Sequence, residues 1–208
     1  MKIKWLGHSC FKITEGDYSI VIDPYNPLMF PRLEKYTVSA NQIICSHNHE
    51  DHNFKKAVTL IQTSKENPFK IDTLTTYHDD SKGSTRGLMT IHILEVNGIK
   101  IAHLGDIGCE LEEDQIQKLW GLDFLMIPVG GYYTINAETA KRLIDRIKPK
   151  TVIPMHYRGE LFGFPVLATL DDFTKFYKKN EITYLKFNEI DLENKLTTKV
   201  LVFNIARS

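Results

Sequence analysis

Four side chains that can bind a metal ion stand within six residues of one another: His47, His49, Asp51 and His52. They follow directly on residues 42–45, an apolar run that predicts a buried strand. Burying histidine and aspartate is costly unless they are paired or bound to a metal. In an extended segment His47 and His49 point to the same side, where both can reach one ion. The cluster therefore favours a metal site over a solvated polar loop.

Three further candidate ligands each follow a run of residues with the apolar pattern of a strand, namely His78, Asp106 and His156. Taken singly, a histidine at the end of a strand is more often a capping or core residue than a ligand. Their common position at strand ends lets them converge with the first cluster on one edge of the fold. Imidazole and carboxylate ligands suit Zn²⁺, Mn²⁺ or Fe²⁺ better than Ca²⁺ or Mg²⁺. We therefore expect two adjacent divalent ions, with zinc as the first choice and manganese or iron as alternatives.

The predicted strands and helices fall into two halves that share one layout. Each half has a hairpin, an aspartate after the return strand (Asp23 and Asp106), a connector of helix length and a buried strand. The predicted helices cover residues 54–64, 110–119, 137–147 and 171–179. This order predicts an α/β fold, a four-layer αββα sandwich of two sheets with helices outside. No linker divides the halves, so we expect a single domain over residues 1–208.

Charge and composition limit the partners that this chain can have. Its 26 basic and 26 acidic side chains leave a formal net charge of zero. A neutral chain has no electrostatic reason to bind nucleic acid or an anionic membrane surface. No window is apolar over the roughly 18 residues of a membrane helix, and the first residues lack the pattern of a signal peptide. With three widely separated cysteines, this predicts a cytoplasmic protein.

The chain resembles the metallo-β-lactamase superfamily of αββα-sandwich hydrolases over essentially its whole length. The matching segments are residues 22–24, the complete HxHxDH motif at 47–52, and residues 77–79, 103–106 and 153–157. Within the superfamily it is most similar to small metal-dependent hydrolases related to the ascorbate-6-phosphate lactonases. That closer similarity rests on residues 6–11, 85–87, 103–108 and 128–131.

The resemblance implies a role for each matched side chain. The first ion would be held by His47, His49 and His78, and the second by Asp51, His52 and His156. Asp106 would bridge both ions, and Asp23 would orient the histidines of the motif. The loop after His78 varies between branches of the superfamily, so Asp79 is an alternative to His78 as a ligand.

Two ions held side by side predict a hydrolase that uses a metal-bridging hydroxide. Paired cations lower the pKa of a shared water towards neutrality and polarise a carbonyl or phosphoryl oxygen. Asp51 and Asp106 are the expected catalytic carboxylates, and Asp51 can take a proton from the attacking water, as aspartate does at that position in related enzymes. The chain has no GxSxG nucleophile elbow. We expect a small cytoplasmic ester, lactone or phosphoester as the substrate.

The sequence differs from other branches of the superfamily at several places, and these differences limit the reactions expected of this chain. Asp106 stands where the common zinc β-lactamases use cysteine, which disfavours cleavage of antibiotics. His49 stands where flavodiiron oxidoreductases of similar fold use glutamate, which disfavours reduction of O₂ or NO. The sequence also lacks the basic, Gly/Pro-rich arm of the tRNA-processing members.

Arg86, Tyr157 and Arg158 are candidates for contacts with the substrate, since they stand beside the predicted ligands. A guanidinium group can bind a carboxylate or phosphate through two hydrogen bonds, and Arg158 is only two residues past His156. The alternative is a surface charge for each arginine and a half-buried ring for the tyrosine.

Three histidines have no assigned ligand role. His8 either approaches the site from the first strand or lies in the core. His92 and His103 are expected to be structural, because His92 stands in the middle of a strand and alternation puts His103 on the face opposite Asp106.

Two other functions fit the same residues. One is a non-catalytic sensor or binding module that keeps the metal ligands without a usable pocket, and the other is a phosphodiesterase or nuclease. The complete ligand set argues against the first, and the neutral charge argues against a nuclease. The sequence leaves open whether the chain forms a homo-oligomer.

Overall fold

Strands dominate the computed structural model, which describes residues 1–30, 36–160, 162–192 and 197–205. The strands are β1 (Lys2–Gly7), β2 (Cys10–Glu15), β3 (Tyr18–Ile22), β4 (Val38–Ala40), β5 (Gln42–Ile44), β6 (Val58–Leu60), β7 (Lys70–Tyr77), β8 (Leu88–Val96), β9 (Ile99–His103), β10 (Phe124–Pro128), β11 (Thr151–Met155), β12 (Ile182–Tyr184), β13 (Glu189–Asp191) and β14 (Val200–Val202). The α-helices are α1 (Glu113–Lys118), α2 (Ala137–Ile147) and α3 (Asp171–Thr174). Short 3-10 turns cover Pro27–Met29, Lys55–Ala57 and Lys179–Glu181.

The strands form two large sheets and one small sheet. The first large sheet has the spatial order β13-β1-β2-β3-β5, the second has the order β12-β14-β11-β10-β9-β8-β7, and β4 pairs with β6. In the first sheet β2 and β3 are antiparallel and β5 joins β3 in parallel. In the second, β8 and β9 are antiparallel and β10 joins β9 in parallel. The layout predicted to recur in the two halves is therefore visible in the strand pairing.

A shared hydrophobic core holds the two large sheets face to face. Ile13 of β2 lies in one buried cluster with Leu94 of β8 and Ile101 of β9, which pair with each other across their strands. The ring of Phe11 lies 5.9 Å from that of His103 on the opposite sheet. Fully burying each aliphatic side chain of this kind contributes about 1.5–3 kcal/mol. The sheets meet face to face in the way that the predicted sandwich requires.

The helix α2 follows its predicted bounds, 137–147, and packs against β10 of the seven-stranded sheet. The Asn136 side chain accepts a hydrogen bond of 2.9 Å from the Thr139 backbone N–H, which caps the first turn. The buried residues of α2 recur at helical spacing and are Ala137, Ala140, Leu143, Ile144 and Ile147. This apolar stripe covers the face of the sheet that points away from the five-stranded sheet.

The other two predicted helices of the second half are shorter than expected. The helix predicted over 110–119 covers Glu113–Lys118, and the one predicted over 171–179 covers only Asp171–Thr174. In that last segment only Phe173 and Thr174 are buried. Because a short helix depends on packing for its stability, two buried side chains stabilise little more than one turn.

The helix predicted over residues 54–64 is wrong. A 3-10 turn at Lys55–Ala57 leads into β6, which pairs in parallel with β4. Val58 is buried in a second, smaller cluster on the outer face of the five-stranded sheet, whereas Leu60 and Ile61 are exposed. The segment is rich in β-branched residues, which favour extended structure once a partner strand is available. Within the described ranges, this small sheet and the 3-10 turns cover that face where the prediction had put a helix.

Among the residues that the structure describes, none of the helices has the length and apolarity needed to cross a membrane.

Replacing the cap of α2 should destabilise the fold by a measurable amount. Asn136→Ala removes the acceptor for the Thr139 N–H and should lower the free energy of unfolding by about 1 kcal/mol. Urea denaturation followed by circular dichroism measures this change. The exposed Asn180→Ala is the matched control, with an expected change within about 0.5 kcal/mol. Equal denaturation midpoints for the two variants would contradict the capping role.

Candidate metal centre

The predicted ligands meet at one edge of the sandwich because of the direction of the strands before them. β7 and β9 are both antiparallel to β8, and β9 and β11 are both parallel to β10, so β7, β9 and β11 run the same way. Their carboxyl ends lead to His78, Asp106 and His156. The motif at 47–52, which follows β5 in the other sheet, meets these residues there.

The first group of candidate ligands consists of His47, His49 and His78. One nitrogen from each ring lies within 4.8 Å of the others, and the ring centroids are 4.5–5.3 Å apart. His78 is buried, His47 is half-buried and His49 is exposed. His47 Nε2 is buried without a hydrogen-bond partner in the described part of the chain. A buried, unpaired imidazole nitrogen is costly in a protein, and a metal ion would satisfy it.

The second group of candidate ligands consists of Asp51, His52 and His156 and lies beside the buried carboxylate of Asp106. Asp106 Oδ2 lies 3.1 Å from His52 Nε2, 3.1 Å from His156 Nε2 and 3.8 Å from His78 Nε2. Asp51 Oδ2 lies 3.8 Å from His52 Nε2. Two ligands of one tetrahedral zinc ion, with bonds of about 2.0–2.1 Å, are about 3.3 Å apart. The spacing of these donor atoms therefore fits a metal centre, with Asp106 facing ligands of both groups.

Asp23, the residue predicted to orient the motif histidines, contacts Ser46 and His52 at the start and end of the motif. Its Oδ2 lies 2.8 Å from His52 Nδ1, and its Oδ1 accepts a 2.6 Å hydrogen bond from the Ser46 backbone N–H. The Ser46 hydroxyl lies 2.6 Å from Asp23 Oδ2 and 2.9 Å from His47 Nδ1. One carboxylate thus orients His52 directly and His47 through Ser46. In both rings this leaves Nε2 to face the centre.

The charges of the centre stabilise one another. Burial lowers the pKa of His47 to about 3. Burial would raise the pKa values of the carboxyls, but His52 outweighs it and holds the pKa of Asp23 at about 2. In the same way His156 and His52 hold the pKa of Asp106 well below its ordinary value. Ionised carboxylates and neutral imidazoles are the donors that a divalent ion binds.

Two glycines allow the backbone to approach the ligand-bearing loops closely. A Cβ at Gly108 would lie 2.4 Å from the His78 carbonyl group, and one at Gly130 would lie 2.1 Å from the His156 carbonyl oxygen. His156 itself has a left-handed backbone, with φ of 54°. Larger residues at either glycine would displace the adjacent histidine from the centre.

Asp79, the alternative to His78, is engaged elsewhere. Its carboxylate accepts hydrogen bonds of 2.7–3.0 Å from four backbone N–H groups, those of Ser81, Gly83, Thr85 and Arg86. These bonds, with that from Arg86 the strongest cause, lower the pKa of Asp79. The carboxylate therefore closes the loop that follows β7, and His78 is the residue that lies in the first group of donors.

The structure separates the three candidates for substrate contacts. Tyr157 does not lie in the site, because its ring is buried in the core, 5.8 Å from Trp5 and 5.4 Å from Phe162. Arg158 Nε donates a 3.0 Å hydrogen bond to the Leu167 carbonyl, which ties it to the following loop. These two residues follow His156 in sequence, but packing directs the tyrosine inward.

Arg86 has a different environment from Arg158. It is half-buried, and its guanidinium lies 5.6 Å from the centre of the Tyr133 ring. The Tyr133 ring lies 5.8 Å from Phe164, which in turn is 5.7 Å from His8. The rings of Tyr133 and Phe164 therefore lie in a row between the Arg86 guanidinium and His8, which lies beside the second group of donors.

His8 is the site residue that the sequence left undecided. One of its ring nitrogens lies within 4.8 Å of donor atoms of Asp51, His52 and His156. The sequence signal for this was its position directly after an apolar strand, which it shares with the predicted ligands. His92 and His103 lie outside these groups of donors and hydrogen-bond to backbone carbonyl groups, as expected for structural histidines.

Comparisons with known proteins identify the family of this chain. The sequence pattern of a family described as "Beta-lactamase superfamily domain" matches residues 2–156. A "UPF0173 metal-dependent hydrolase" of Pelotomaculum thermopropionicum is 30% identical over 196 residues, which cover 76% of this chain and 84% of that protein. A protein of the same name from Thermococcus onnurineus is 27% identical over 226 residues, with 91% and 98% covered.

Among solved structures, the fold is similar to a protein of Thermotoga maritima described as a candidate Zn-dependent hydrolase of the metallo-β-lactamase superfamily. The TM-score is 0.75 at 32% identity, and the match covers 97% of both chains. The predicted sandwich fold and the prediction of an enzyme are confirmed by these similarities. The chain belongs to the metallo-β-lactamase superfamily and, within it, to the UPF0173 family of metal-dependent hydrolases.

Proposed function

We propose that this chain is a dinuclear metal-dependent hydrolase that acts on a small cytoplasmic ester, lactone or phosphoester. The observation that carries the proposal is the position of Asp106 between the two groups of donors. The same oxygen, Oδ2, lies 3.1 Å from His52 and His156 and 3.8 Å from His78. A carboxylate that faces ligands of both groups is suited to bridge two ions.

The donor set defines the residues that would hold each ion. The first ion would be bound by His47, His49 and His78, the second by Asp51, His52 and His156, and both by Asp106. Zinc fits these nitrogen and carboxylate donors best, and manganese or iron would also be accepted. When bound, two adjacent ions lower the pKa of a water between them and polarise the carbonyl or phosphoryl oxygen of a substrate.

The chain's own carboxylates have distinct parts in this chemistry. Asp106 is fully buried, so it serves to hold charge at the centre. Asp51 is the more accessible carboxylate, with 17% of its side chain exposed. Although burial acts to raise the pKa of Asp51, the neighbouring His8 and His52 lower it, so the group is ionised at neutral pH. It is therefore placed to accept a proton from an attacking water.

An anionic lactone or phosphoester of the ascorbate-6-phosphate lactonase type is the substrate class that we propose first. Its support is Arg86, a half-buried cation in the loop that carries His78. The Asp79 carboxylate accepts a hydrogen bond of 2.7 Å from the Arg86 backbone N–H, which fixes the start of this side chain. The guanidinium itself lies 5.6 Å from the centre of the Tyr133 ring, and a guanidinium can bind a carboxylate or phosphate group of a substrate.

Hydrolysis by the metal-loaded protein tests the proposed function. The panel contains phosphorylated and neutral lactones, aryl esters, phosphodiesters, a β-lactam and single-stranded RNA. We expect chelator-sensitive turnover of lactones or esters, and a KM at least 10-fold higher for phosphorylated substrates in Arg86→Gln. Two bound ions without turnover of any compound would favour a metal-binding module instead. Turnover confined to RNA would favour a nuclease.

Loss of one ligand should remove one ion. His49→Ala should reduce the zinc content from about two ions per chain to about one and abolish turnover, because the first group keeps only two histidines. Elemental analysis after dialysis measures the zinc content. His92→Ala is the matched control, since His92 is a histidine outside the groups of donors. Undiminished zinc content or activity in His49→Ala would refute the ligand assignment.

Removing the charge of Asp23 should weaken metal binding without removing a ligand. Asp23→Asn keeps the shape of the side chain but weakens the hold on His52 and Ser46, and we expect zinc affinity to fall about 10–100-fold. Competition with a chromogenic chelator measures the affinity. The exposed Asp72→Asn serves as the control and should leave it unchanged. Equal affinities for both variants would show that Asp23 has no orienting role.

A further inference from the structure

We propose that His8 is a further ligand of the second ion, which gives that ion one more protein donor than the first. The inference rests on the proposed function for the presence of two ions. It concerns a residue outside the set of seven ligands discussed above. The two ions would then differ, because the second has the more buried set of protein donors and the first has the more exposed set.

The first support is the absence of any other partner for the His8 ring. The residue is 1% exposed, and neither Nδ1 nor Nε2 has a hydrogen-bond partner among the described residues. Burying an imidazole without partners costs free energy, so an unpaired ring of this kind needs a physical reason.

The two structural histidines, His92 and His103, show how a buried imidazole is hydrogen-bonded in this fold. His103 Nε2 lies 2.8 Å from the Ser9 carbonyl oxygen, and His92 Nε2 lies 3.0 Å from the Cys45 carbonyl oxygen. Each of these rings is anchored to the backbone of the facing sheet. His8 has no such anchor within the described ranges, so it differs from them in the way that a metal ligand would.

The second support is the short distance between the His8 ring and the donors of the second ion. His8 Nε2 lies 3.5 Å from Asp51 Oδ2, which is close to the separation of about 3.3 Å between two ligands of one zinc ion. The centroid of the His8 ring is 4.1 Å from that of His156 and 5.3 Å from that of His52. Donor atoms of all four residues lie within 4.8 Å of one another.

The third support is the rigidity of the position. His8 has a left-handed backbone with φ of 52°, and its carbonyl oxygen accepts a 3.0 Å hydrogen bond from the Trp5 indole N–H. Phe30 and Phe164 pack against the ring at centroid distances of 4.8 and 5.7 Å. The backbone and these rings hold the imidazole beside Asp51 and keep it from turning towards solvent.

Burial then assigns different roles to the two ions. His8, His52 and His156 are all fully buried, and with Asp51 and the shared Asp106 they would supply five donors to the second ion. The first ion would have four donors, namely three histidines, of which His49 is exposed, and the shared Asp106. The second ion, with more donors and more buried ones, should be retained more tightly, whereas the first ion should exchange more readily with solvent.

Zinc retention by His8→Asn tests the inference. Asparagine tolerates the left-handed backbone but is too short to place a donor where His8 Nε2 lies. After passage over a chelating resin, the wild type should retain the second ion. His8→Asn should bind that ion at least 10-fold more weakly in chelator competition, and His92→Gln should match the wild type. Two ions bound by His8→Asn at wild-type affinity would overturn the inference.

A crystal structure of the zinc-loaded wild type provides a readout that does not depend on the folding of a variant. Anomalous difference density should place an ion about 2.0–2.1 Å from a His8 ring nitrogen. A separation above about 3 Å from both ions would exclude ligation by His8 and leave the dinuclear hydrolase intact. A wild-type chain that binds no zinc, manganese or iron would contradict the proposed function itself, and this inference with it.

Discussion

The buried carboxylate of Asp23 is the interaction on which the geometry of the centre depends. It stands at the end of β3 with a left-handed φ of 49°, and it binds both the backbone and the hydroxyl of Ser46 as well as His52. These bonds connect the strand pairing of the first sheet to the start of the HxHxDH motif. Because a buried ionised group must be fully paired, the motif can adopt few other arrangements around it.

The aspartate that follows the return strand has a different role in each half of the sandwich. Asp23 follows the return strand of the first hairpin and orients ligands from behind, whereas Asp106 follows the return strand of the second and faces the donors directly. Packing the two sheets face to face brings both aspartates to the same edge. His52 lies between them, with Nδ1 2.8 Å from Asp23 Oδ2 and Nε2 3.1 Å from Asp106 Oδ2, so one ring contacts both carboxylates.

Much of the fold follows from local sequence patterns, and the predictions that were wrong share one cause. The bounds of α2 could be predicted because one apolar face and an asparagine cap specify them together. The segment 54–64 has apolar residues at helical spacing as well, but β4 offers Val58 a partner strand and a buried place that a helix would not. Tyr157 follows a predicted ligand, yet its ring turns into the core beside Trp5. In these cases tertiary contacts override the local signal.

The sequence by itself determined which side chains stand at strand ends, because that depends only on the order of apolar and polar residues. It thereby specified the seven candidate ligands and the two-sheet layout. Only the tertiary structure decided the position of His8, which the sequence left open, and supplied the partners of His92 and His103. His92 and His103 meet backbone carbonyl groups of the facing sheet, whereas His8 points beside Asp51 without such a partner in the described residues. The partner of a buried ring is supplied by whatever the fold packs against it, and no local pattern records that.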